Sequence, residues 1–118
     1  MKTILIVEDE ELLAGMYQEK FQEEGFGVVS VKTVKEARSA MAEKKPDIIL
    51  LDILLHDENG LDLLKGTDVA REVPVVVFSN FDDTETVKVA KELGAKEYLI
   101  KTDYTPSEIM EKLRAYAS

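Results

Sequence analysis

The run Asp47-Ile-Ile-Leu-Leu-Asp52 constrains the fold more than any other stretch of the chain. Four consecutive aliphatic residues without polar alternation describe a strand covered on both faces, as central strands of parallel sheets are. In open α/β sheets the ligand crevice lies beyond the carboxyl ends of the strands. Asp52, at the exit, stands where a reacting group would stand; Asp47, at the entrance, is expected to be a bystander.

The flanking sequence supplies partners for such a strand. Ile4 to Val7 is a short apolar run that stops at Glu8-Asp9-Glu10-Glu11, after which Leu13, Met16, Tyr17 and Phe21 recur at helical spacing. Gly25 is expected to end that helix in the left-handed region, which costs glycine nothing sterically. Phe26 to Val31 reads as a second strand, and Thr33 with Glu36 as the capping box of a helix that ends before Lys45-Pro46. After Asp52 the spacing predicts a loop over Ile53 to Asn59, then a short helix from Gly60 carrying Leu61, Leu63 and Leu64, ended by Gly66 and Thr67-Asp68. Pro74 to Phe78 is a fourth strand, ending at Ser79-Asn80. Asp82 with Glu85 is expected to cap a helix through Leu93, closed by Gly94, and Glu97 to Ile100 to form a fifth strand ending at Lys101. Thr105, Pro106 and Glu108 mark the start of a last helix whose buried stripe is Ile109, Leu113 and Tyr116. Five strands alternating with five helices predict an α/β fold: a parallel sheet with right-handed crossovers and helices on both faces.

Composition narrows the function. At 118 residues the chain fits a single domain, 1–118, burying roughly two-thirds of its unfolded surface. A formal net charge of −9 leaves no basic stripe for phosphates, so direct binding of nucleic acid or anionic membrane is not expected. Without cysteine there is no disulfide and no thiolate nucleophile. No apolar stretch approaches the roughly 20 residues of a membrane helix, and Met1-Lys2-Thr3 leads straight into a strand, so the expected compartment is the cytoplasm.

Four predicted strand ends carry polar residues: Glu8 and Asp9, Asp52, Ser79 and Lys101. Each alone is ordinary turn chemistry. Together they suggest a site. If the first and third strands are neighbours, Glu8, Asp9 and Asp52 crowd, and like charges so close oppose ionisation unless a cation joins them. Mg²⁺ prefers oxygen ligands and suits one or two carboxylates with a backbone carbonyl. Lys101 would add a point charge and Ser79 a hydroxyl, completing a cage for a transferring phosphoryl group. Asp52 would be the nucleophile, as carboxylates that form aspartyl phosphates are.

On these residues, from Ile4-Leu5-Ile6-Val7-Glu8-Asp9-Glu10 through Asp47 to Asp52 and Gly60, to Val77-Phe78-Ser79 and Tyr98-Leu99-Ile100-Lys101, the whole chain resembles a stand-alone receiver domain of two-component response regulators. The resemblance implies a five-stranded sheet in order 2-1-3-4-5. It makes Asp52 the phospho-acceptor, with Asp9 a direct metal ligand, Glu8 a ligand through water, and the carbonyl of Leu54 a further ligand for Mg²⁺ or, in its place, Mn²⁺. Ser79 and Lys101 would bind the phosphoryl oxygens, and Tyr98 would hold the aromatic switch position. The implied donor is a histidine kinase or phosphotransfer protein. The implied output is a surface of helix 4, strand 5 and helix 5, with Lys88, Lys91 and Tyr104 as candidates, read by a downstream protein or by a phosphorylation-dependent dimer. No enzymatic turnover is implied beyond self-phosphorylation and autodephosphorylation, and no output domain is expected within the sequence.

Three positions depart from the family pattern. His56 stands where proline is usual and reads as a solvated loop histidine; Asn80 replaces a small residue and, with Phe81, narrows access to Asp52; Thr102 replaces the proline after the lysine, which argues against a cis bond there. Leu54 and Phe81 are expected to tune hydrolysis at the mouth. A flavin module is disfavoured because Glu8-Asp9-Glu10-Glu11 repels phosphate where a Gly- and Ser-rich loop would cradle it. An Asp-nucleophile phosphatase is disfavoured because Leu54 occupies the place of its second acid. A receiver-like interaction domain that works without phosphorylation stays open.

Overall fold

A computed structural model of the chain describes residues 1–65 and 68–117. Its main sheet has five parallel strands: β1 (Thr3–Val7), β2 (Gly27–Val31), β3 (Ile48–Leu51), β4 (Val75–Ser79) and β5 (Glu97–Ile100). Their order is β2-β1-β3-β4-β5, as the resemblance implied. Helices α1 (Glu11–Glu23), α2 (Val34–Glu43), α3 (Val69–Glu72), α4 (Thr84–Glu92) and α5 (Pro106–Ala117) join them. Two apolar layers result, as a sheet covered on both faces requires. One packs Leu5, Val7, Ile49, Leu51, Val75 and Val77 beneath α2 and the segment after β3; the other packs Ile4, Ile6, Ile48, Leu50, Val76 and Phe78 against α1 and α5. Every residue of β1, β3 and β4 is buried, which is why their sequences run apolar without alternation, whereas β2 at the edge is half open.

Several helix ends follow from local chemistry. Gly25 and Gly94 take φ of +93° and +107° after α1 and α4. At α5 the capping box is complete, since the Thr105 amide donates to Glu108 Oε1 (2.8 Å) and the Glu108 amide to Thr105 Oγ1 (3.1 Å). At α2 the box is skewed: Thr33 accepts from the Glu36 amide (3.0 Å), but the Glu36 carboxylate takes the Lys32 amide (2.8 Å) instead of that of Thr33.

Other expectations are corrected. The segment Ile53 to Asn59 is not plain loop. Leu54–Leu55 pair antiparallel with Glu58–Asn59 in a small hairpin apart from the main sheet. The single helix expected from Gly60 is a 3₁₀ turn, Gly60–Leu63, followed by the one-turn α3; its expected stop at Gly66 and Thr67 lies outside the described residues. Asp83, not Asp82, is the N-cap of α4, and it is bonded by the Thr86 hydroxyl (3.2 Å) rather than by a backbone amide. On α1 the buried stripe is Ala14, Tyr17 and Phe21, with Met16 exposed; on α5 Met110 and Ala117 join Ile109 and Leu113, leaving Tyr116 half-buried. Met16 and Tyr116 both lie on the flank of their helix's buried stripe. The Tyr116 hydroxyl donates to Glu97 Oε2 (2.7 Å). Asp47 is not among the residues lining the cleft, as expected, but it has a structural role. Its Oδ2 accepts the Thr3 amide at 2.7 Å and so ties the entrance of β3 to the start of β1.

Candidate functional site

Register carries the site. β1 pairs with β3 through Ile4↔Ile48 to Val7↔Leu51, and the Asp52 amide continues the ladder to the Val7 carbonyl (3.0 Å), bringing Asp52 alongside Glu8. The Glu8 amide donates to Val31 on the other side (3.0 Å). Ser79 pairs with Ile100 at the ends of β4 and β5, so Lys101 leaves the sheet beside the same edge. Glu8, Asp9, Asp52, Ser79 and Lys101, spread over 94 residues of sequence, thus meet at one end of the sheet. Asp9, Asp52, Leu54, Ser79, Asn80 and Lys101 line a small cleft of about 160 Å³.

Within it, Asp52 is 3% exposed and held from two directions: the Leu54 amide donates to Oδ1 (3.0 Å) and the Lys101 ammonium to Oδ2 (2.8 Å). The same ammonium donates to Glu8 Oε1 at 2.7 Å and lies 4.8 Å over the Phe78 ring. Burial opposes charge on Lys101, but its bonds to Asp52 and Glu8 outweigh that and hold its pKa above the ordinary lysine value. Glu8 is in the opposite situation. Burial, reinforced by Asp52 and only partly offset by Lys101, pushes its carboxyl up to about 8.

One lysine cannot balance three carboxylates. Oxygens of Glu8, Asp9 and Asp52 lie within 4.8 Å of one another, and Glu8 Oε2 is a buried oxygen without a hydrogen-bond partner. An all-oxygen, over-negative cluster with one unused buried acceptor has the chemistry of a hard divalent cation site and fits Mg²⁺.

Around the cleft, Ser79 Oγ accepts the Phe81 amide (3.2 Å), while the Tyr98 hydroxyl donates to the Phe81 carbonyl, so the loop between β4 and α4 is gripped at one residue by two side chains. Leu54 and Phe81 are both exposed apolar side chains, at 54% and 41%. His56 projects into solvent at the hairpin tip, 3.6 Å from Asp57, and belongs to no cluster around Asp52. The Lys101–Thr102 bond is trans, and Lys101 opens a 3₁₀ turn. Away from the cleft, Lys88 is exposed and reaches Glu92 (4.0 Å), Lys91 is exposed, and Tyr104 is half-buried beneath Lys112.

Two supporting residues escape a reading of local patterns. Gly60 has no unusual φ, yet a Cβ there would sit 2.1 Å from the Asp52 carbonyl oxygen; only the motif position hinted at it. Glu58 Oε1 accepts the Val34 amide (2.7 Å) across 24 residues, a contact with no sequence signal.

Comparison with known proteins agrees with this geometry. The model of the response regulator receiver domain family matches residues 4–114. The chain is 33% identical over 112 residues to the DNA-binding response regulator MtrA of Mycobacterium tuberculosis, covering 95% of this chain and 49% of that protein. It is 28% identical over 117 residues to the phosphate regulon transcriptional regulatory protein PhoB of Pseudomonas aeruginosa, covering 97% and 51%. It therefore spans about half the length of the curated relatives it matches. Among solved structures, the BeF3-activated N-terminal receiver domain of Klebsiella pneumoniae RstA superposes with a TM-score of 0.85 at 26% identity, covering 98% of each chain. A CheY-like receiver domain protein from Methanospirillum hungatei reaches 0.91 at 24% identity over 99% and 94%, a likeness of fold. With the family match covering nearly its whole length and the strand order in agreement, the chain belongs to the response regulator receiver domain family of two-component signalling systems.

Proposed function

We propose that this domain is a phosphorylation switch in which Asp52 accepts a phosphoryl group from a histidine kinase or phosphotransfer protein. The observation that supports this most is the state of Asp52: a buried carboxylate held by Leu54 and Lys101, facing a cleft, among acids that need a cation. A carboxylate oxygen attacks phosphorus, the bond from phosphorus to the donor's histidine nitrogen breaks, and an aspartyl phosphate remains. Positioning and charge neutralisation are what the step requires of the protein.

Glu8, Asp9, Asp52 and the Leu54 carbonyl would hold Mg²⁺, for which Mn²⁺ can substitute, with Glu8 contributing through water. Bound there, the cation neutralises charge on the carboxylates and on the transferring oxygens. Lys101 then turns from Glu8 and Asp52 to a phosphoryl oxygen, and Ser79 donates its hydroxyl to another. Because Ser79 Oγ also accepts the Phe81 amide, moving toward the phosphoryl group pulls on the loop that Tyr98 grips as well and changes the face made by α4, β5 and α5. A downstream protein, or a second copy of the domain, reads that face. Water attacking phosphorus breaks the acyl-phosphate bond and resets the switch without turnover of any outside substrate. The site of action we propose is the cytoplasm, where the receiver domain family to which the chain belongs would meet its phosphoryl donor.

Intact mass after incubation with Mg²⁺ and a small acyl phosphate tests the proposal. One added phosphoryl group, absent in Asp52→Asn and after EDTA, is expected. No adduct, together with partner binding that ignores the donor, would favour the phosphorylation-independent interaction domain instead.

A further inference from the structure

The hairpin Leu54–Leu55/Glu58–Asn59 carries the Leu54 amide that orients Asp52, yet it is not part of the main sheet. A two-stranded ribbon is marginal on its own, so its position depends on what fastens it. At its root the Gly60 amide donates to the Ile53 carbonyl (2.8 Å) and Asn59 Oδ1 accepts the Leu61 amide (2.9 Å). Beyond the root the fastenings are few: Leu55 is buried in the core, and Glu58 reaches across to Val34. His56 and Asp57, between them, are exposed. An open cleft of about 530 Å³, bordered by Asp9, Thr33, His56 and Glu58, gives the hairpin room to move if released.

The Val34 amide is a ready anchor. It is the first helical residue of α2, and amides in the first turn have no partner within the helix. The local capping residues are already engaged, Thr33 with the Glu36 amide and Glu36 with the Lys32 amide, so this donor is left to a residue from elsewhere. A carboxylate is favoured there because the helix dipole adds to the hydrogen bond.

We propose that Glu58 is a positioning residue for the cation and phosphoryl site: by holding the amino end of α2 it fixes the hairpin that presents the Leu54 amide to Asp52 at the edge of the cleft. The functional half of this statement rests on the function proposed above. The structural half, that the grip on Val34 sets Leu54 in place, stands independently of it.

The test compares wild type, Glu58→Ala and Glu58→Gln, each shown folded by circular dichroism. Amide hydrogen exchange at Leu54 and Val34 reads the latch in metal-free protein, and calorimetric titration with MgCl₂ reads the site. Glu58→Ala is expected to speed exchange at both amides and to weaken Mg²⁺ binding about tenfold, the usual cost of losing an outer partner of a ligand. Glu58→Gln keeps an acceptor oxygen and is expected to stay within about threefold of wild type, since a neutral hydrogen bond survives. Unchanged Leu54 exchange in Glu58→Ala overturns the proposal; so does wild-type Mg²⁺ affinity in that variant, or a glutamine variant as impaired as the alanine one. If wild type itself binds no Mg²⁺ and takes no phosphoryl group, the proposed function falls, while Leu54 exchange still decides whether Glu58 is the latch.

Discussion

Gly60→Ala is the sharpest perturbation available near Asp52, because the added methyl has nowhere to go. Its Cβ would lie 2.1 Å from the Asp52 carbonyl oxygen, 2.9 Å from Ile53 Cα and 3.0 Å from the Asp52 carbonyl carbon, whereas ordinary contact begins at 3.4 Å. All three neighbours are backbone, so no side chain can swing aside. The two segments must separate by about 1 Å, which stretches the 2.8 Å bond from the Gly60 amide to the Ile53 carbonyl toward rupture. Overpacking of this kind costs about 1–3 kcal/mol and the lost hydrogen bond about 1 more, so a destabilisation of about 2–4 kcal/mol is expected, with Tm lower by roughly 10 °C. Because the displaced group is the backbone of Asp52, the 2.8 Å bond to Lys101 and the 3.0 Å bond from Leu54 move with it, and phosphoryl incorporation should fall by about two orders of magnitude. Urea unfolding and intact mass after acyl-phosphate treatment measure the two effects. Gly25→Ala is the control: nothing lies within 4 Å of its Cβ, and only its φ of +93° is unfavourable, so it should lose about 1 kcal/mol and no phosphorylation. A Gly60→Ala protein within about 0.5 kcal/mol of wild type, phosphorylated at the wild-type rate, would refute the reasoning.

The Glu8 carboxyl sets a pH dependence. Its folded pKa, raised to about 8, lies above the ordinary 4.5, so its contribution to stability is complete below about pH 4.5 and is lost as pH rises through 8. Metal-free protein should therefore lose a few kcal/mol of stability between those limits, and Mg²⁺ binding at pH 7 should release close to one proton, detectable by calorimetry in buffers of different ionisation heat; no release at pH 7 would contradict the assignment. Lys101→Ala removes the only cation bonded to buried Glu8 and Asp52 among the described residues, and should destabilise the metal-free protein at pH 8 by about 3–5 kcal/mol, with millimolar MgCl₂ restoring part of the loss in urea unfolding. Thr105→Ala breaks half of the α5 capping box and should cost about 1 kcal/mol without altering Mg²⁺ affinity.

The architecture could be read from the sequence because its signals are local. Uninterrupted apolar runs at β1, β3 and β4 follow from burial on two faces, and the cap of α5 and the glycines after α1 and α4 follow from backbone chemistry within a few residues. The polar strand ends were equally visible, as residue types out of place beside apolar strands. Only the tertiary structure decided what those residues do to one another. Which acid shares the lysine, which carboxyl is pushed toward neutrality and which oxygen is left unpartnered depend on a register between segments more than 40 residues apart. The same holds for other contacts: Asp47 bonds Thr3 across 44 residues, Glu58 bonds Val34 across 24, and on α1 Ala14 is buried while Met16 is exposed. Hydrophobic period names the elements because each residue answers to its own surroundings. Side-chain partnership is set by packing between elements, and no stretch of this chain contains that information by itself.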